Sequence, residues 1–208
     1  MLYNIAISQT HGGVEQYYYA GHNRVSTIVP KVYFQNNKKW YAEIRYNYDE
    51  LETVSFNAGK TFSKENSLSY AITPIAGLMA GRYNGGSFGL NTELDYKKIF
   101  FSAESQYALS FEGREADFFY NWSEIGYQVT DHIYTGLALQ LTHLYKATNS
   151  WEFGIMTGFS INKWTFPVYI FNPAGNNRYF VLGINLEWGR IKTESRKIEM
   201  PLLTNTGK

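Results

Sequence analysis

Seven charged residues share one parity in segments where apolar and polar residues alternate: Glu43, Arg45, Glu93, Asp95, Glu104, Glu124 and Glu187. Lys31 is a second cation on the same side. Gathered on one wall, these groups would do electrostatic rather than covalent chemistry. An excess of carboxylates on a narrow, weakly polar wall favours cations, with Arg45 as counter-ion. The competing reading is a solid plug of hydrogen bonds and ion pairs that holds a small interior together. Covalent chemistry has less to work with. The histidines are His11, His22, His132 and His143. His143 falls near a rim, with Ser150 and Asn149 across the next turn; His132 reads as turn chemistry. There is no cysteine, and His, Asp and Glu show no metal-ligand spacing, so we expect no cofactor. Gly12-Gly13 precedes no helix and is not a phosphate loop.

The positioning elements are strands. From Lys39 to Asp49 one face carries Trp40, Ala42, Ile44, Tyr46 and Tyr48, the other Tyr41, Glu43, Arg45, Asn47 and Asp49. The same period of two recurs along the chain. About twelve such strands are predicted, at 14–21, 26–35, 39–48, 52–62, 67–79, 86–95, 98–109, 116–127, 131–143, 150–161, 163–171 and 177–189. Most approach the 9–11 residues a tilted strand needs to cross a bilayer. Tight connections at 36–38, 97–98 and 162–163 alternate with longer ones at 80–86, 111–115, 144–149 and 172–177.

The composition narrows the class. The chain has 208 residues, 18% aromatic and only 18% charged, with net charge +1. Such a balance excludes the basic footprint of a nucleic-acid binder and the polarity of a disordered chain. No stretch is apolar enough for a transmembrane helix. The start has no leader-like run, so an exported chain would be the mature form. A soluble sheet would turn a charged face to water. Here the second face is small and polar, and the apolar face ends repeatedly in Tyr, Trp or Phe. The fold expected is all-β: a closed antiparallel transmembrane β-barrel of about twelve strands, with short turns on one side and longer loops on the other. It spans 1–189 as one domain, followed by a tail at 190–208. Pro30, Pro74 and Pro167 fall inside strands, where each removes a ladder donor. Pro30 and Pro167 flank the expected closing seam, where weak pairing would permit lateral opening toward lipid.

The dyad strands, the hairpin Glu124-Ile125-Gly126-Tyr127-Gln128-Val129 with Ile133-Tyr134-Thr135-Gly136-Leu137, and the terminal Gly183-Ile184-Asn185-Leu186-Glu187-Trp188 make the chain resemble bacterial outer-membrane β-barrel proteins. The resemblance is architectural and implies a Gram-negative outer membrane with lipid around the wall. In size the chain is similar to small twelve-stranded porins for acidic oligosaccharides. Those are expected to line the lumen with arginine, whereas Arg45 is the clearest inward arginine here, so their substrate is not carried over. The expected role is a narrow, weakly cation-preferring channel for small polar solutes. The alternatives are a non-conducting structural or accessory barrel bound to an envelope partner, and a lipid-modifying enzyme at His143. The last is similar to twelve-stranded outer-membrane phospholipases in the placing of the histidine, but Tyr145 stands where their serine would be.

Overall fold

A computed structural model describes residues 10–21, 24–48, 50–144 and 150–189. The expected tail at 190–208, His22, Tyr145 and Asn149 lie outside the described residues. Thirteen strand segments form one antiparallel wall: β1 His11–Gly21, β2 Arg24–Gln35, β3 Trp40–Tyr46, β4 Thr53–Lys60, β5 Phe62–Lys64, β6 Leu68–Gly81, β7 Gly85–Tyr96, β8 Ile99–Ser110, β9 Phe118–Gln128, β10 Ile133–Leu144, β11 Ser150–Ile161, β12 Trp164–Phe171 and β13 Tyr179–Trp188. Each pairs with its sequence neighbour, β4 and β5 both pair with β6, and β1 pairs with β13 to close the cylinder. Because β4 and β5 are one interrupted strand, the wall is the expected twelve-stranded barrel. The closed wall leaves no edge strand, as the hydrocarbon core demands of a spanning sheet.

Alternation fixes which way side chains point, since successive residues take opposite faces. Ile28, Phe56, Leu78, Phe88, Leu137 and Phe153 stand exposed on the outside, an apolar belt suited to lipid. The odd residues of β3 and the even ones of β8 point inward. The tight turns at 36–39, 65–67, 97–98, 129–132 and 162–163 gather at the end that carries the start of β1 and the end of β13. The longer connections 47–52, 111–117 and 172–178 gather at the other. The connection expected at 80–86 is shorter than predicted, because β6 and β7 run on to Gly81 and from Gly85.

Each of the three strand prolines interrupts a ladder on one side only. The β4–β6 pairing runs to Gly59↔Ile75 and resumes as β5–β6 at Phe62↔Ile72 in unchanged register, with Pro74 at the break. The β12–β13 pairing passes from Thr165↔Asn185 to Val168↔Leu182, skipping Phe166 and Pro167. The β2–β3 pairing reaches only Lys31↔Arg45, beside Pro30. A missing N–H explains all three. The closing seam between β1 and β13 is unbroken from Gly12↔Trp188 to Gly21↔Tyr179. Weak pairing thus falls one strand in from the seam on the β13 side and two strands in on the β1 side, and the seam expected to open is continuously bonded.

Candidate functional site: the filled lumen

Charged groups from four strands converge at mid-height. Lys31 on β2 puts its Nζ 2.5 Å from Glu104 Oε1 on β8 and 3.5 Å from Glu15 Oε1 on β1. Arg45 Nη2 on β3 lies 2.7 Å from Glu43 Oε1 and 3.1 Å from Glu104 Oε2. Strands β3, β4, β6 and β7 separate β2 from β8, so the Lys31–Glu104 pair spans the lumen from wall to wall. Lys31 is 3% exposed, and Glu43 and Arg45 are 2% each. At this level Lys31, Glu43 and Arg45 are enclosed by side chains, while Glu15 and Glu104 keep some exposure, 18% and 23% of their side chains.

Neutral polar groups complete the shell. Tyr41 Oη donates to Glu43 Oε2 at 2.7 Å, and Asn57 Nδ2 donates to Glu43 Oε1 at 3.1 Å. Ser87 Oγ in turn donates to Asn57 Oδ1 at 2.9 Å. A buried charge needs such partners, because losing water costs more than one ion pair returns.

Tyr48 caps the cluster. The parity of β3 predicts it on the outer face, as an interfacial anchor. The structure corrects this. β3 ends at Tyr46, and Asn47 takes a left-handed backbone, φ 56°, which redirects the chain. Asparagine accepts that conformation more readily than most residues. The Asn47 side chain holds the turn, donating to the Ile28 carbonyl at 3.1 Å and accepting from the Glu52 N–H at 2.6 Å. Tyr48 is thereby swung inward. Its Oη donates to Glu104 Oε2 at 2.7 Å, and the Arg45 guanidinium lies 4.4 Å from its ring centre. Its ring meets that of Tyr120 edge-on at 5.8 Å. Tyr83 is buried, its ring edge-on to that of Phe118 at 5.2 Å.

The opposite half of the interior is aromatic. Trp122 meets Tyr169 and Phe171 edge-on, each at 5.2 Å, and Phe171 stacks on Tyr179 at 5.0 Å. Two carboxylates are held here by ring donors. Glu124 accepts from Trp122 Nε1 at 2.6 Å and Tyr169 Oη at 2.7 Å, and Glu152 accepts from Tyr179 Oη at 2.9 Å.

The expected lining residues therefore separate into three places. Glu43, Arg45 and Glu104 come together at mid-height, and Glu124, on β9 beside the strand of Glu104, lies among aromatics. Glu93 and Asp95 end β7 at the tight-turn mouth, beside a cavity of about 270 Å³ that Phe100 and Ser102 also line. Glu187, next to last in β13, shares that end. Sequence reasoning missed Glu15 and the inward Tyr17 and Tyr48. In β1 the run Tyr17-Tyr18-Tyr19 masks the alternation that would have assigned Glu15.

His143 stands opposite Phe119, one place beyond the Thr142↔Ser150 pair. A residue and its cross-strand partner share a face, so Ser150 points to the face opposite His143. The two form no catalytic pair. His132 Nδ1 lies 3.0 Å from the Ser160 carbonyl oxygen, a turn contact as expected. Among the described residues no His, Asp and Glu cluster is arranged to hold a metal ion.

An apolar belt outside, a closed antiparallel wall and a polar, charged interior define the fold as a closed outer-membrane-type transmembrane β-barrel. Among solved structures, the KdgM porin superposes with a TM-score of 0.57 at 10% identity, covering 84% of this chain and 98% of that one. The NanC porin does so with a TM-score of 0.54 at 10% identity, covering 84% and 97%. KdgM solved in complex with disordered oligogalacturonate gives 0.56 at 11% identity, covering 85% and 98%. No protein-family model and no curated protein sequence matches the chain. At such low identity the shared property is the fold.

Proposed function

We propose that the protein is an outer-membrane channel for small polar solutes, with a weak preference for cations, in a closed or highly constricted state. One observation carries this reading: a porin-type wall encloses charged groups whose balance is acidic. Among the described residues, Glu15, Glu43, Glu93, Asp95, Glu104, Glu124, Glu152 and Glu187 have inward parity, and the inward cations are Lys31 and Arg45. Carboxylate excess at close quarters lowers the barrier for a cation and raises it for an anion. For the same reason we do not extend the acidic sugar bound by KdgM to this lumen. Passage requires Tyr48 to withdraw and the Lys31–Glu104 pair to part. The test is single-channel conductance in a planar bilayer under a salt gradient. Steady conductance with a cation-selective reversal potential supports the reading, and an anion-selective potential overturns the preference.

The wall-to-wall ion pair favours a second reading, a non-conducting barrel that serves as a structural or accessory subunit. An interior filled to this degree is ordinary for eight strands and excessive for a wide pore. Absence of conductance from correctly folded protein, with an envelope protein co-purifying in stoichiometric amount, would establish that reading instead.

A further inference from the structure

Among the described residues, the basic side chains are sorted by type between the two ends of the barrel. Among the described residues, every lysine except Lys31 lies at the tight-turn end. Lys38 and Lys39 occupy the turn after β2, Lys60 ends β4 and Lys64 ends β5, Lys97 and Lys98 make the turn after β7, and Lys163 lies in the turn after β11. Their acidic company at those turns is Glu65 and Asp131. Every described arginine except Arg45 lies at or beside the other end, as Arg24, Arg82, Arg114 and Arg178, among Glu50, Glu52, Glu112, Glu115 and Asp117.

Lys60, Lys97 and Lys98 face outward, toward the lipid perimeter, whereas Lys39 Nζ turns to Ser63 Oγ at 3.0 Å. Lys60 Nζ lies 5.4 Å from the ring centre of Trp40, Lys97 Nζ 5.1 Å from that of Tyr96, and Lys98 Nζ 5.9 Å from that of Tyr127. All three rings are exposed on the outer face, at the depth where an aromatic girdle meets headgroups. A lysine stem lies along apolar surface while its ammonium reaches the interface. The backbone supplies independent support. Lys39 and Lys97 adopt left-handed conformations, φ 66° and 57°, which glycine or asparagine would take with less strain. Lysine occupies these turns against local preference.

We propose that this lysine and aromatic rim is a binding collar for anionic phospholipid, the phosphates of a phosphatidylglycerol-type headgroup docking on the ammonium groups while the acyl chains pack on the girdle. The inference does not depend on conduction. It is tested with the full chain folded into phosphatidylcholine vesicles carrying trace spin-labelled phosphatidylglycerol or spin-labelled phosphatidylcholine, comparing the motion-restricted fraction of each. We expect phosphatidylglycerol to associate at least about twofold more strongly, given the attraction of each interfacial lysine for an anionic surface. That preference should fall in 1 M NaCl, as screening requires. The triple variant Lys60→Gln/Lys97→Gln/Lys98→Gln should bring the two lipids close to parity. The matched Arg82→Gln/Arg114→Gln/Arg178→Gln should retain the preference. All six positions are exposed, and heat-modifiable gel mobility reports that each variant is folded. Equal association of the two lipids with the unmodified chain, or equal loss of preference in both triple variants, would overturn the proposal.

Discussion

Lys31 and Glu104, 73 positions apart in the chain, meet at 2.5 Å across the barrel. Neither touches its partner through a neighbouring strand, so the contact exists only because the wall closes. It is a tie between opposite walls that crosses the lumen.

Removing one end of this tie should be costly. Lys31→Met leaves Glu104 and Glu15 without their shared ammonium, and we expect a loss of about 3–5 kcal/mol, the usual cost of orphaning a buried charge. Glu104→Gln should cost less, because Lys31 keeps Glu15 and Arg45 keeps Glu43. Urea unfolding of the two variants, followed by tryptophan fluorescence, gives the order directly.

Tyr48→Ala should open the constriction. It removes the ring between Arg45 and Tyr120 and the hydrogen bond to Glu104, while leaving the ladder of β3 untouched. Conductance should rise several-fold over the unmodified chain, and Tyr48→Phe should fall between them. Since the chain has no cysteine, Ser55→Cys gives a readout independent of current. Buried beside Arg45, it should resist a water-soluble thiol reagent with Tyr48 present and react in the Tyr48→Ala background. An unreactive thiol in both would remove Tyr48 as the closing element.

The mouth carboxylates can be separated from the central ones. Glu93→Gln/Asp95→Asn removes two charges from the cavity at the tight-turn end without touching the Lys31–Glu104 tie. The reversal potential under a salt gradient should move toward zero with the unfolding midpoint unchanged. A stable double variant with unaltered selectivity would assign the preference elsewhere.

Gly183→Ala tests the proline break beside β13. A Cβ there would come within 2.5 Å of Pro167 Cγ and 2.9 Å of Tyr17 Cε1. Two rigid rings leave little room to yield, so we expect a loss of about 1–3 kcal/mol. Heat-modifiable mobility measured against temperature would detect it.

Alternation by twos, turn residues and the aromatic ends of strands determined the architecture, because they are properties of each strand taken alone. They were enough to predict twelve strands, the closed wall and the inward parity of Glu43, Arg45 and Glu104. Which inward groups meet was decided by closure and register, which bring β2 against β8 across a lumen and have no local signature. The prolines show the same division. Their positions were plain in the sequence, but a missing N–H weakens whichever neighbour it faced, and only the folded wall shows that for Pro30 this is β3. There the ladder stops, Asn47 turns, and Tyr48 enters the lumen against the parity of its own strand.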